Sequence, residues 1–299
     1  MAQELIYTSA ERGVRLGTSG FCTVAHTRGM LPQTMQLLEA LSTYRMPLGM
    51  TEWQTAPVVW SHLRWQGIGR NMDVLSRIGA AAADHTNRTN KLAHHLLIDA
   101  RERPAGGPAW LCDAEGLFVS DWSGEPRLID APRELPTGDE TEFRADTWKL
   151  VTGDAGNAGT LASWTMQSPE RVTVIVFTPE MPMLALLREA LRLLPVAQRW
   201  NVTFSSYFTT LPAGAACQWR CCLADSDELQ AQKRIPRVRI MDLTAPLPPP
   251  EEGNPQVVTA RNGQASSAPA QAAEPTEKKI GFTLLPRRSV NQFTLRPRN

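Results

Sequence analysis

Residues 172–177 read VTVIVF, six consecutive β-branched or aromatic positions with no polar alternation. A run of this kind fits a strand covered on both faces, so the chain around it must supply a packing layer on each side. Pro179 is placed to start a helix, and Met183, Leu186, Leu187, Ala190, Leu191 and Leu194 follow at helical spacing. Trp200–Tyr207 then alternates as a strand, and Cys217–Leu223 gives another after the loop at Leu211–Ala215. Asp227–Lys233 reads as a short helix and Val238–Leu243 as a last strand. Strand, helix, strand, strand describes a compact sheet with at least one helix packed on it.

The first hundred residues have a different texture. Leu5–Thr8 is a short apolar strand, Phe21–Thr27 alternates as a second, and Pro32 starts the one clear helix, which ends near Tyr44 with Met35, Leu38 and Leu41 on its apolar face. Val58–Trp65 and Met72–Ile78 form a hairpin pattern across Gly67-Ile68-Gly69. The glycines at 13, 17 and 20 lack the Lys and Ser/Thr of a phosphate-binding loop, so Ser9–Gly20 reads as a connection. Ala109–Val119 fits either a helix or an irregular pair of strands, and Trp148–Leu161 reads as loop and short helix because Gly153, Gly156 and Gly159 weaken a helix.

Two polar patches stand out. One is Asp84–Asp99, DHTNRTNKLAHHLLID; the other is Gly20–Gly29, GFCTVAHTRG. The Asp, Thr and Asn side chains of the first bond their own backbone in turns, which predicts a tight loop over His85–Asn90. The strand that follows is apolar on both faces, and its alternation points one of His94 and His95 into the body of the domain. Asn87, Arg88 and Asn90 offer amide and guanidinium groups for a ligand or partner, and Arg28 adds a second positive group.

Composition narrows the choices. The 31 Lys and Arg nearly cancel the 30 Asp and Glu, so no overall field argues for sequence-specific nucleic acid. Cys22, Cys112, Cys217, Cys221 and Cys222 are odd in number and lack a CxxC pair, which favours reduced thiols and a cytoplasmic location. No run approaches the length of a membrane span. From Thr244 a Pro/Gln/Ala/Ser mixture is expected to be disordered. It ends on a basic tail carrying Lys278, Lys279, Arg287, Arg288, Arg296 and Arg298, suited to weak contact with an anionic surface.

An enzymatic alternative is a thiol hydrolase with Cys22 as nucleophile, His94 or His95 as base, and Asn87 or Asp99 orienting the imidazole. Against it, Cys22 lies within a strand pattern and not at a helix N-terminus, where a thiolate is favoured. A metal centre from His26, His62, His85, His94 and His95 lacks any ligand spacing, and no metal or cofactor is expected.

Further motifs tie these pieces to a family. LIYTSAERG, GFCTVAHTRGM, LEALSTYR, VLSRI, DHTNRTNKLAHHLLID and GGPAWL together resemble the N-terminal module, type two, of the bacterial GTPase-associated proteins. RWNVTFSSYF followed by CQWRC is similar to planctomycete-type members. The resemblance spans about Leu5–Leu243. It implies a uncatalytic adaptor or regulator working with a GTPase in a multi-component conflict or signalling system, and it supplies no catalytic residues. A related module shares an xHxLLID-like strand, matched here with His95 in AHHLLID.

The combined expectation is an α+β protein: an N-terminal strand-rich module over 1–120, an exposed connection over 121–146, a second α+β unit over 147–243 packed on the first, and a disordered tail over 244–299. Partner binding is expected at Arg28, Asn87, Arg88, Asn90 and His95, with a GTPase or another component of its system as the partner.

Overall fold

The computed structural model describes residues 2–47, 50, 52–67, 70–138 and 143–263. The fold is α+β. Its strands are β1 (Gln3–Ala10), β2 (Gly20–Thr27), β3 (Val59–Gly67), β4 (Arg70–Ala81), β5 (Asn90–Ile98), β6 (Arg127–Ile129), β7 (Thr173–Phe177), β8 (Phe204–Ser205), β9 (Ala215–Ala216), β10 (Trp219–Leu223) and β11 (Arg239–Asp242). The helices are α1 (Pro32–Leu41), α2 (Pro108–Cys112), α3 (Asp146–Thr152), α4 (Gly156–Gln167), α5 (Met183–Arg192), α6 (Val196–Arg199), α7 (Asp227–Lys233) and α8 (Pro255–Asn262).

One sheet runs through all of it, in the order β11-β7-β10-β8-β3-β4-β5-β1-β2-β6, with β9 also on β3. The N-terminal strands pair antiparallel, as alternating patterns with short connections allow. β7, β10, β8 and β11 are parallel, which suits the continuous apolar run in β7. The two halves join where β8 pairs antiparallel with β3, Ser61 opposite Ser205 and His62 opposite Phe204. The second half is thus hydrogen-bonded into the first half's sheet.

Burial follows the layers. Leu5, Val74 and Leu97 pack against Leu38 of α1. A larger core sets Leu75, Leu96, Ile175, Phe177 and Trp219 against Leu186, Leu187 and Ala190 of α5 and Trp148 and Leu161 of α3 and α4. On the opposite face of the parallel strands, Val174, Val176 and Cys222 pack against Leu229 of α7. All five cysteines are buried and unbridged. Among the described residues no helix is long and apolar enough to cross a membrane.

Several local expectations change. The strand expected over Trp200–Tyr207 shrinks to β8, because Trp200 is instead buried with its indole N–H donated to the Pro104 carbonyl at 2.7 Å. Within the segment expected to be a plain connection, β6 adds to the sheet beside β2 and Arg133 bridges to Ala2. Trp148–Leu161 lies in two helices and not mainly in loop. Gly153, at φ 81°, closes α3 in the left-handed region, and Gly159 lets α8 lie against α4. Residues 244–263 are ordered in part by α8, which Asn254 caps through Gln256 and Val257 N–H and Gly263 ends. The expected turn at 68–69 and the basic tail with Lys278, Lys279, Arg287, Arg288, Arg296 and Arg298 lie outside the described residues.

Candidate functional site

The Asp84 loop forms as its composition demands. Asp84 Oδ1 accepts from Thr86 N–H at 2.9 Å, Thr86 Oγ1 at 2.6 Å and Arg88 N–H at 3.0 Å, while Oδ2 accepts from Ser9 Oγ at 2.9 Å. The Thr86 hydroxyl, and after it the Arg88 amide, hold the carboxyl well below its usual range. Asn87 takes φ 59° at the tip, where Asn tolerates the left-handed region. Arg88 stays largely exposed and reaches Asp84 at only 3.4 Å.

The next residues turn inward. Asn90 is buried, its Oδ1 accepting from Thr8 Oγ1 at 3.2 Å and Ser9 N–H at 3.1 Å, so it fastens β5 to β1 and offers nothing to a partner. Both His94 and His95 are fully buried, not one of them, because β5 is a central strand of a sheet covered on both faces.

His95 sits between two hydroxyls. Ser42 Oγ donates to the Leu38 carbonyl at 2.8 Å and so accepts from His95 Nε2–H at 2.8 Å, and Ser76 Oγ donates to Nδ1 at 2.7 Å. One neutral tautomer satisfies all three groups. Burial, and then the neighbouring His94, push its pKa down to about 3. The residue singled out by the xHxLLID-like strand is therefore a core histidine and not a contact surface.

His94 donates Nε2–H to Glu4 Oε2 at 2.9 Å and accepts Val119 N–H on Nδ1 at 3.1 Å. Burial lowers its pKa against the pull of Glu4. For Glu4 itself burial opposes ionisation, but its bonds to His94 and to Arg133, at 2.8 Å, together outweigh this and keep the carboxyl low.

These bonds dismantle the thiol-hydrolase constellation. All four ring nitrogens of His94 and His95 are engaged elsewhere. Burial, followed by the Glu39 carboxylate, pushes the Cys22 thiol up, the reverse of what a nucleophile needs. Cys22 lines a cavity of about 550 Å³ beside the β1–β2 connection, with Tyr7, Arg15, Thr23 and Glu39 on its walls. Thr23 Oγ1 already donates to Glu39 there at 2.6 Å.

Arg28 is separated from the Asp84 loop. Its guanidinium meets Asp130 at 2.8 Å and its N–H bonds the Ile129 carbonyl, at the Glu4 end of the sheet. The Asp84 loop lies at the other end, beside Ser9 and the start of β2. Seven residue steps along β2 at about 3.3 Å each put the two ends roughly 23 Å apart. One patch built from Arg28 and Asn87–His95 is thus excluded by the topology.

An exposed aromatic ring stands across from the Ser9 that anchors the Asp84 loop. Phe21 starts β2 opposite Ser9, stacks on Tyr7 with ring centroids 6.3 Å apart, lies under Lys91 Nζ at 5.1 Å, and remains 49% exposed. Leu16, on the connection before it, is 99% exposed. Phe21 does not stand out in sequence, because only the β1–β2 pairing and the Ser9–Asp84 bond bring it towards the loop; the connection that carries Leu16 folds back along β2, Val14 N–H donating to the Thr23 carbonyl at 2.9 Å.

Sequence reasoning also missed a buried charge cluster. Asp73, fully buried on β4, accepts from His62 Nε2 at 2.9 Å and Arg103 Nε at 2.7 Å, with Arg64 Nε at 3.7 Å. His62 Nδ1 faces the Val202 carbonyl at 2.7 Å, and Arg103 lies over Trp200 at 5.8 Å. The cluster ties the β3–β4 hairpin to the second half of the sheet. Asp73 draws His62 from 11 positions away and Arg103 from 30, and His62 reaches Val202 across 140, so no local pattern announces the cluster. Among the described residues no three His, Cys, Asp or Glu side chains converge as a metal ion requires.

Comparison with known proteins fits this architecture. A family model described as GTPase-associated protein 1, N-terminal domain type 2, matches residues 1–139, and one for the middle domain of the same protein matches residues 145–245. No curated protein and no solved structure matches.

Proposed function

The chain belongs to the GTPase-associated protein 1 family, and on that premise we propose that it is a non-enzymatic adaptor or regulatory module of a GTPase-centred bacterial conflict or signalling system. It works in the cytoplasm by binding a protein partner, the GTPase or another component of that system. The observation that supports a binding role is the exposed Phe21 across from Ser9, the residue that anchors the Asp84 loop carrying Asn87 and Arg88 at one end of the sheet. A half-exposed aromatic ring held by its neighbours, with an arginine close by, is the composition of an interface hot spot. The engaged histidines and the raised Cys22 thiol favour binding over catalysis.

Affinity capture of the tagged full chain from its native cells, with GTP or GDP added, tests this reading. A GTPase or a component that travels with one is expected with the wild type and lost with Phe21→Ser/Arg88→Glu, while Arg28→Ala leaves it in place. A partner that survives the double variant and disappears with Arg28→Ala would move the interface to the other end of β2.

A further inference from the structure

The parallel half of the sheet contains a topological switch point. From β7 the chain crosses through α5 towards β8 and β10; from β10 it returns through α7 to β11 on the far side of β7. α5 packs on one face of these strands and α7 on the other. The connections that leave the carboxyl ends of adjacent β7 and β10 therefore diverge, and in open α/β sheets that divergence opens a crevice where ligands bind. A cavity of about 540 Å³ lies there, walled by Phe177 at the end of β7 and by Leu223 and Asp225 at the end of β10.

Two features of the walls define what fits. Tyr207, across the crevice, is only 6% exposed, and among the described residues no hydrogen bond engages its hydroxyl; its side chain borders this cavity and a smaller one next to it. Its ring is fixed edge-on against Tyr44 at 6.2 Å and Phe177 at 6.4 Å, so the hydroxyl is aimed and not free to swing away. A hydroxyl with no partner in the protein is free to bond water or a ligand that enters the cavity.

The second feature is charge. Asp225, Asp227 and Glu228 all border the cavity against a single cation, Arg45, which meets Glu228 at 2.5 Å. Arg45 comes from the segment after α1 and is 69% exposed, so solvent is available to receive it if Glu228 takes another cation. Three carboxylates disfavour a phosphate in this crevice.

We propose that this crevice is a binding site for a small organic cation with an amidinium, guanidinium or amine head and an apolar body. The head pairs with Glu228 in place of the Arg45 guanidinium and donates an N–H to the Tyr207 hydroxyl. The body lies along Phe177 and Leu223. Occupation breaks the Arg45–Glu228 pair that ties the segment after α1 to α7, so a ligand here changes how the two halves are held at this edge.

Benzamidine and its neutral isostere benzamide, titrated into the isotopically labelled full chain and followed by NMR, form the test. Benzamidine is expected to bind at about 1 mM, as suits a fragment of its size, and benzamide at least about tenfold more weakly because it cannot pair with Glu228. Tyr207→Phe should weaken benzamidine about 3- to 10-fold. Arg45→Ala, which removes the competing cation, should strengthen it several-fold, and Glu228→Gln should erase the preference for benzamidine over benzamide. Equal binding of the two probes, indifference to Tyr207→Phe, or tighter binding of inorganic phosphate would overturn the assignment. Melting curves accompany each variant; if Glu228→Gln fails to fold, the opposite signs expected for Tyr207→Phe and Arg45→Ala still decide it.

Discussion

Gly159→Ala separates helix propensity from packing by the sign of its effect. On propensity alone, replacing a glycine inside α4 should stabilise the protein by about 1 kcal/mol. The structure argues the reverse. A Cβ at position 159 would lie 2.4 Å from the Val257 nitrogen and 2.5 Å from the carbonyl carbon and oxygen of Gln256, all backbone atoms of α8. Relaxed carbon contacts lie near 3.5–4.0 Å, so α8 must move off by about 1 Å or more. Overpacking of this kind costs about 1–3 kcal/mol, and complete release of α8 would also expose Val257, whose burial contributes about 1.5–3 kcal/mol. Set against the propensity gain of about 1 kcal/mol, the net expectation is a loss of up to about 2 kcal/mol, and more if Val257 is released. Gly156→Ala provides the comparison, because the three atoms nearest its Cβ would be side-chain atoms of Arg261, Asp154 and Val257, each at 3.0 Å, a milder approach than the backbone contacts at Gly159. Urea unfolding of both variants, with hydrogen exchange read across Pro255–Asn262, measures the difference. If Gly159→Ala is stabilised as much as Gly156→Ala and α8 keeps its protection, the packing argument is wrong.

Ser42→Ala should destabilise by about 1–3 kcal/mol, because it leaves His95 Nε2–H buried without an acceptor; the urea midpoint reports it. With the His95 pKa lowered from 6.5 to about 3, the unfolded chain takes up a proton first as pH falls. Stability is thus full above the ordinary histidine range and declines between about pH 7 and 4, and Glu4 and Asp73, also held low, extend the loss in more acid solution. A stability that stays flat over that interval would refute a neutral buried His95. Asp73→Asn should cost about 3–5 kcal/mol by leaving the Arg103 guanidinium without its buried counter-charge, and a stability change under about 1 kcal/mol would contradict the cluster's role. Iodoacetamide should label none of the five buried cysteines appreciably in the native protein and all of them in urea, with Cys22 no exception.

Much of the fold was legible because it is written in local periodicity. The alternation of Phe21–Thr27 and Val58–Trp65, the unbroken VTVIVF run, the leucines of α5 and the Ser226-capped α7 all specify an element and its apolar face within a few residues. The polar composition from Thr244 onward predicts disorder, so α8, which Asn254 caps and Gly263 ends, is found only in the structure. Gly159 looked like a helix weakener because the helix that needs its missing Cβ lies a hundred residues away.

The candidate site was legible only in part. The Asp84 turn follows from side chains bonding their own backbone, so Asn87 and Arg88 sit where the sequence puts them. Asn90, His94, His95 and Arg28 do not, because strand pairing decides whether a polar side chain meets water, a neighbour or the core. The sequence by itself determined β1 to β5, β7, β10 and β11, the helices α1, α5 and α7, the Asp84 loop and the family. Tertiary structure alone decided that β8 joins β3, that the two polar patches lie at opposite ends of one sheet, and that Asp73, His62 and Arg103 meet. The physical reason is that periodicity encodes which face of an element avoids water, whereas a polar group's chemistry is set by partners that arrive from distant sequence and by the desolvation they impose.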